Sequence, residues 1–150
     1  MSQSPALATL SAVRRLLLVI LLLGFVGTTT ELLLIGHDED VWQLIPLVVL
    51  ALAIIATLAV LRTLTTVSVV ATRLFRAAMV LLLVSGAVGT VLHYRANMEF
   101  KLEMDPSLSG FALFSSVVQA TTPPPLAPGT MALFGLIGLA SVFRLGSQNR

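Results

Sequence analysis

The stretch Leu16–Ile35 reads LLLVILLLGFVGTTTELLLI and contains one charged residue, Glu31. About 20 predominantly apolar residues allow an α-helix to cross the hydrocarbon core of a bilayer. A pair of arginines precedes the stretch and a glycine follows it, which is typical of the two ends of a membrane span. The stretch therefore predicts a first transmembrane helix over about residues 14–36.

A cleaved signal peptide is the alternative interpretation of the same stretch. Its apolar run is longer than the usual apolar core of a signal peptide, and no small-x-small cleavage site follows Gly24 or Gly27. We therefore expect this helix to be retained.

Three further segments are similarly apolar. Pro46 falls in the first turns of one of them, where a missing N–H costs least. Pro128 and Gly129 shorten the regular part of the last one. The segments cover about residues 42–62, 74–96 and 127–144. Together with the first helix they predict an all-α fold, a transmembrane four-helix bundle that forms a single domain over 1–150.

The composition supports this fold class. Of the 150 residues, 57% are hydrophobic and 11% are charged, whereas soluble domains carry about 25% charged residues. There is no cysteine, which excludes disulfides and thiolate metal sites. No clustered basic face for nucleic acid appears, so the lipid bilayer is the partner that the composition predicts.

The distribution of charge predicts the orientation. The side with the lysine and arginine excess is normally cytoplasmic. The other side has two basic residues, all seven acids and both histidines, so the two sides carry formal charges of +7 and −5, which sum to the net charge of +2. The chain is therefore expected in the cell membrane with both termini cytoplasmic. The seven basic residues of the inner side are Arg14, Arg15, Arg62, Arg73, Arg76, Arg144 and Arg150.

Residues 97–126 form the only sizeable stretch between predicted spans. Apolar residues recur at helical spacing within 107–119, which is too short to cross a membrane. We predict a short interfacial helix that caps the extracytoplasmic side of the bundle. The proline-rich sequence Thr121–Pro125 predicts an extended connection into the last helix.

Small residues recur along the apolar segments at intervals of three or four. In lipid, helices associate where small side chains allow their backbones to approach. We therefore predict packing seams on three helices. The residues concerned are Gly24 and Thr28, Ser85 and Gly89, Gly86 and Thr90, and the series Ala132, Gly135, Gly138 and Ser141.

A candidate ligand or proton site lies at the predicted outer face. Glu31 sits inside an apolar run, and a carboxylate within a membrane span is a candidate functional residue unless it merely pairs near the headgroups. We expect Glu31 to face the bundle interior and to contact His93 or Arg95. Asn97 and Glu99 follow on the outward continuation of the third helix and complete the candidate site.

The same region offers candidate metal ligands. Glu31, His37 and His93 supply oxygen and nitrogen donors that suit a divalent transition metal. The chain has no HExxH or His-x-His spacing, so a solvated acidic face with interfacial histidines is the alternative. Haem is not expected, because His37 lies too far outside the membrane to pair with His93.

Three segments carry a resemblance: ELLLIGHDEDVWQLIP (Glu31–Pro46), HYRANMEFKLEMDPSLSG (His93–Gly110) and LAPG (Leu126–Gly129). They resemble parts of small, uncharacterised bacterial four-helix integral membrane proteins, a resemblance that implies no activity. Arg95–Glu99 loosely resembles a helix motif of small four-helix enzymes of glutathione and eicosanoid metabolism. It would lie on the wrong side of the membrane, so their activity is not carried over.

Catalytic sequence patterns are absent, since there is no GxSxG elbow, phosphate loop or dinucleotide fingerprint. We therefore expect a non-enzymatic accessory or ligand-handling membrane protein, with other membrane subunits or a second copy as its protein partners. A metal-binding or proton-coupled membrane enzyme or transporter that uses the same outer cluster is the alternative.

Overall fold

A computed structural model describes residues 5–122, 124 and 126–145. Arg150 of the predicted charge pattern and two prolines of the predicted extended connection, Pro123 and Pro125, lie outside the described residues. The described part is all-α, as predicted. Its five helices are α1 (Pro5–Leu34), α2 (Val41–Thr63), α3 (Val69–Met104), α4 (Gly110–Val118) and α5 (Gly129–Ser141). Three of them, α1, α2 and α3, are long and apolar enough to cross a membrane.

Two helices are longer than we predicted. α1 covers Pro5–Leu34 and so includes residues 5–13, which we had placed before the first span. α3 continues to Met104 rather than ending near residue 96, because residues 97–104 contain no glycine or proline and the first proline is Pro106. Residues 97–104, which we assigned to the cap, therefore belong to α3.

Four helices form a closed ring of contacts. α1 packs on α2 and α5, and α3 packs on the same two helices from the other side. Among the helices of the described residues, α4 packs on α3 alone. As a result α1 and α3 lie diagonally opposite each other, and the described residues include no close approach of their two backbones.

The contact between α3 and α5 depends on glycine. A Cβ atom on Gly135 would lie 2.5 Å from the backbone oxygen of Met79, and one on Gly86 would lie 2.5 Å from the backbone nitrogen of Ala132. A Cβ on Gly138 would meet the sulfur of Met79. The two backbones can approach this closely only because these positions lack side chains, so the predicted packing seam is confirmed here.

The core is narrow and the surface is apolar. Phe25, Leu50 and Phe75 are fully buried between the helices. Large apolar side chains on the outer surface, such as Leu23 and Ile55, are more than half exposed. Such a continuous apolar surface is the surface that helices present to lipid, and it indicates a membrane protein.

Candidate functional site

The charged residues gather at the two ends of the bundle. The starts of α1 and α3 meet the ends of α2 and α5 at one end, which we call the basic end. The opposite end, which we call the acidic end, holds every acid of the chain. The described residues of the basic end are Arg14, Arg15, Arg62, Arg73, Arg76 and Arg144, and the acids are Glu31, Asp38, Glu39, Asp40, Glu99, Glu103 and Asp105.

The α1–α2 link at the acidic end is fixed by local hydrogen bonds. Gly36 has a positive φ of 69°, and the N–H of His37 donates to Leu32 O at 2.9 Å, so α1 ends in a Schellman motif. Asp40 caps α2, and its Oδ1 accepts from the N–H groups of Trp42 at 2.7 Å and Gln43 at 3.0 Å. The link is therefore ordered by its own backbone and one carboxylate.

His93 joins α3 to the connection that precedes α5, and Asn97 bonds within α3. His93 Nδ1 lies 3.0 Å from Pro124 O. Because a carbonyl oxygen can only accept, Nδ1 carries the hydrogen and donates it. Asn97 is 2% exposed and donates from Nδ2 to His93 O at 3.0 Å. One turn away, the ring of Tyr94 packs on Phe114 of α4.

Glu31 is not brought to His93 or Arg95. Its side chain is exposed near the end of α1, and no hydrogen bond or ion pair joins it to another described residue. The reason is the order of helices around the ring, which places α1 diagonally opposite α3. The expected contact is therefore absent from the described residues.

The remaining candidate residues lie on two separate parts of the acidic end, namely α3 and the α1–α2 link. Arg95 and Glu99 are exposed on α3, and His37 is half-buried on the α1–α2 link. Within residues 5–122, 124 and 126–145 no group of three histidine, aspartate or glutamate side chains is close enough to hold a metal ion. Among the candidate residues, Asn97 bonds to the main-chain oxygen of His93, and His93 bonds to the main-chain oxygen of Pro124.

Asp105 shapes the turn that follows α3. Its Oδ1 accepts from the hydroxyl of Ser107 at 2.6 Å and from the N–H of the same residue at 3.0 Å. These bonds, led by the hydroxyl, hold the pKa of the Asp105 carboxyl below its usual value because they favour the charged form. This acid therefore serves as a turn-forming residue between α3 and α4.

Two arginines hold the carboxyl end of α5 at the basic end. Arg14 of α1 donates from Nη2 to Phe143 O at 2.8 Å. Arg76 of α3 donates from Nη2 to Val142 O at 3.1 Å and to Leu145 O at 3.2 Å. These carbonyls belong to the C-cap residue Val142 and to the turn that follows α5. Because the carboxyl end of a helix carries partial negative charge, the two guanidinium groups lie where their positive charge is favourable.

From the sequence, we used these arginines only to predict the topology. The signal for their second role was the absence of a polar capping side chain after Ser141, together with arginines at the same predicted depth on two other helices. Long basic side chains near a helix end commonly bond to its last carbonyls.

An open groove lies beside this arrangement, between α1 and α5. Its volume is about 410 Å³, within the range of small-molecule sites. The residues that line it are Leu10, Val13, Arg14, Leu17, Ala140, Ser141, Phe143 and Arg144. It combines apolar walls with two guanidinium groups and no acid.

Comparisons with known proteins add no family to these observations, since no protein-family profile, curated protein or solved structure matches the chain.

Proposed function

We propose that the chain is an integral protein of the cell membrane that crosses the bilayer four times, with α1, α2, α3 and α5, and has both termini in the cytoplasm. The observation that carries this proposal is the separation of charge between the two ends of the ring. The basic end has six described arginines and no acid, whereas the acidic end has all seven acids. The lysine and arginine excess marks the cytoplasmic side.

α4 completes this arrangement as a cap on the extracytoplasmic face. Its nine residues rise about 14 Å, which is too little to cross a bilayer. Phe111 is 81% exposed and Phe114 is 50% exposed, and their rings lie 6.2 Å apart. A short apolar helix of this kind, held to α3 on its other side, suits the interface between lipid and water.

Within this arrangement we propose a non-enzymatic, accessory role. The support is that several polar side chains of the acidic end bond to their own backbone surroundings. Asp40 caps α2, Asp105 forms a turn, His93 bonds to the connection that precedes α5, and Asn97 bonds to the main chain of α3. These bonds stabilise the fold, and the proposed partners are other membrane subunits or a second copy of this chain.

Single-cysteine labelling tests the topology cleanly, because the chain has no cysteine of its own. Glu39→Cys and Met104→Cys should react with a membrane-impermeant maleimide added outside intact cells. Ser4→Cys, Thr65→Cys and Ser147→Cys should react only after the membrane is permeabilised. Labelling of position 147 from outside would show that α5 does not cross, and the four-crossing arrangement would fail.

Elemental analysis of the detergent-purified protein tests the accessory role against the metal-dependent alternative. We expect less than one transition-metal ion per ten chains after exposure to zinc, copper(II) or manganese and removal of the excess. One bound ion per chain that is lost in His93→Ala and also in Glu31→Gln would overturn the accessory proposal. It would favour a metal site that these two residues share.

A further inference from the structure

The groove between α1 and α5 has walls suited to a hydrocarbon chain. Leu10, Val13 and Leu17 follow one another at intervals of three and four residues, so they form one face of α1. Leu10 is 40% exposed and Val13 is 47% exposed, so the described residues leave much of this wall uncovered. Ala140 on α5 forms the opposite wall.

The same groove is positively charged. A guanidinium has five N–H donors, and the bond from Arg14 to Phe143 uses one Nη2 hydrogen. Arg144 lines the groove as well, with its Cζ 5.5 Å from the centre of the Phe143 ring. Phe143 thus lies between two guanidinium groups that both reach the groove.

The helix end beside the groove does not cancel this charge. The carboxyl end of a helix carries about half a negative charge, whereas Arg14, Arg76 and Arg144 together carry three positive charges. All acids are at the opposite end of the bundle. A ligand at this position therefore meets a positive potential next to an apolar surface.

We propose that this groove binds an anionic phospholipid. Its phosphate contacts Arg14 and Arg144, and one acyl chain lies against Leu17 and Ala140. Basic pockets between membrane helices on the cytoplasmic side suit anionic headgroups, and arginine matches phosphate geometry through paired N–H donors. The inference rests on the proposed membrane location of the chain. A free phosphate would leave the apolar walls unused, and a zwitterionic lipid would lack the net charge.

Native mass spectrometry of the protein in a neutral detergent tests the site during titration with phosphatidylglycerol. We expect one lipid to bind per chain, and phosphatidylcholine and inorganic phosphate to bind at least tenfold more weakly. The double variant Arg14→Gln with Arg144→Gln should weaken phosphatidylglycerol binding about 30-fold, from the contribution of each basic residue near an anionic lipid. Arg62→Gln with Arg73→Gln removes the same charge from the same end outside the groove and should change binding less than threefold.

A second variant keeps the proposal testable if the loss of Arg14 destabilises α5. Ala140→Phe fills the groove from an exposed position and retains both arginines, so it should also weaken binding at least tenfold. Equal losses in the two double-arginine variants would show diffuse attraction and overturn the site. Competition by inorganic phosphate at the concentration of the lipid would overturn the choice of a lipid.

Binding in detergent does not depend on which end of the bundle faces the cytoplasm. If cysteine labelling reversed the topology while the groove still bound phosphatidylglycerol, the proposed topology would fail and the lipid site would stand. If the labelling supported four crossings and the groove variants bound normally, only the lipid site would fail.

Discussion

α5 contacts α3 and α1 in two different ways. Against α3, its glycines allow backbone atoms to meet, and a Cβ on Gly135 would lie 2.5 Å from Met79 O. Against α1, the closest approach is made by a side chain of α5, the ring of Phe134. A Cβ on Gly24 would meet the ring of Phe134 at 2.8 Å, and this ring packs edge-on against Phe25, with the centroids 5.4 Å apart.

The difference indicates which contact fixes the position of α5. Backbone atoms cannot move aside without shifting a whole helix, whereas a phenyl ring can turn or shift by a few tenths of an ångström. In lipid, where apolar surface alone gives little reason to associate, close backbone approach contributes strongly to helix pairing. We therefore regard α3 and α5 as the rigid pair and α1 as the more adaptable neighbour.

The largest expected effect is at the rigid contact. Gly135→Ala should lower the free energy of unfolding by about 2 kcal/mol, because the added methyl group forces α3 and α5 apart. Gly27→Ala is the matched control, since nothing lies within 4 Å of a Cβ at that position. It should leave stability unchanged or raise it by up to about 1 kcal/mol. Unfolding in mixed micelles with increasing dodecyl sulfate measures the stability of both variants. An equal loss of stability in Gly135→Ala and Gly27→Ala would show that the contact at Gly135 is not rigid.

The second effect concerns the hydrogen bonds that join α3 to the end of α5. Arg76→Gln should lower the free energy of unfolding by about 1.5 kcal/mol, because two carbonyl oxygens lose a charged donor. Arg73→Gln removes the same charge one turn earlier on α3 from an exposed position. It should cost less than about 0.5 kcal/mol. The same micelle titration compares them, and a loss at Arg73 as large as that at Arg76 would assign the effect to net charge.

The third effect concerns the start of α2, the helix that follows α1 in the chain. Asp40→Ala should cost about 1 kcal/mol, because α2 loses the acceptor for two of its first N–H groups. Asp38→Ala removes an exposed acid from the same link and should have no measurable effect on the dodecyl sulfate midpoint. A neutral Asp40→Ala would mean that packing against α1 and α3 alone determines where α2 begins.

The smallest expected effect is at the contact between α1 and α5. Gly24→Ala should lower the free energy of unfolding by about 0.5 kcal/mol, because the Phe134 ring yields to the added methyl group. Gly86→Ala meets backbone atoms instead and should cost several times more under the same conditions. A loss at Gly24 equal to that at Gly86 would show that the α1 contact is as rigid as the α3 contact.

The sequence predicted the seam on α5 because its cause is local. Small residues three apart lie along one face of a helix, and in lipid such a face is where another backbone can approach. The position of a helix end was harder to predict. We placed the end of α3 near residue 96 because the apolar run stops at the polar His93–Arg95, yet the helix continues until Asp105–Pro106. A helix ends at a residue that interrupts its hydrogen bonds, and a change of polarity does not interrupt them.

For the candidate site, the sequence could predict the depth of each residue in the membrane but not which helices are neighbours. Counting residues gives the depth of Glu31 and His93 along their helices, and both lie toward the same end of the bundle. Counting cannot give the order of the helices around the ring, which depends on contacts between residues far apart in the chain. The bonds of Arg14 and Arg76 to the end of α5 span 129 and 66 residues, and no periodicity in the sequence encodes such pairs.

The shortness of α5 has a consequence for the membrane itself. Its thirteen residues rise about 20 Å, compared with a hydrocarbon thickness of about 30 Å. In the four-crossing arrangement the bilayer on the side of α5 must thin, or the bundle must tilt toward that side, to avoid exposing polar groups to hydrocarbon. The protein should consequently concentrate in thin bilayers and leave thick ones, and its own surroundings should be thinner beside α5 than beside α1.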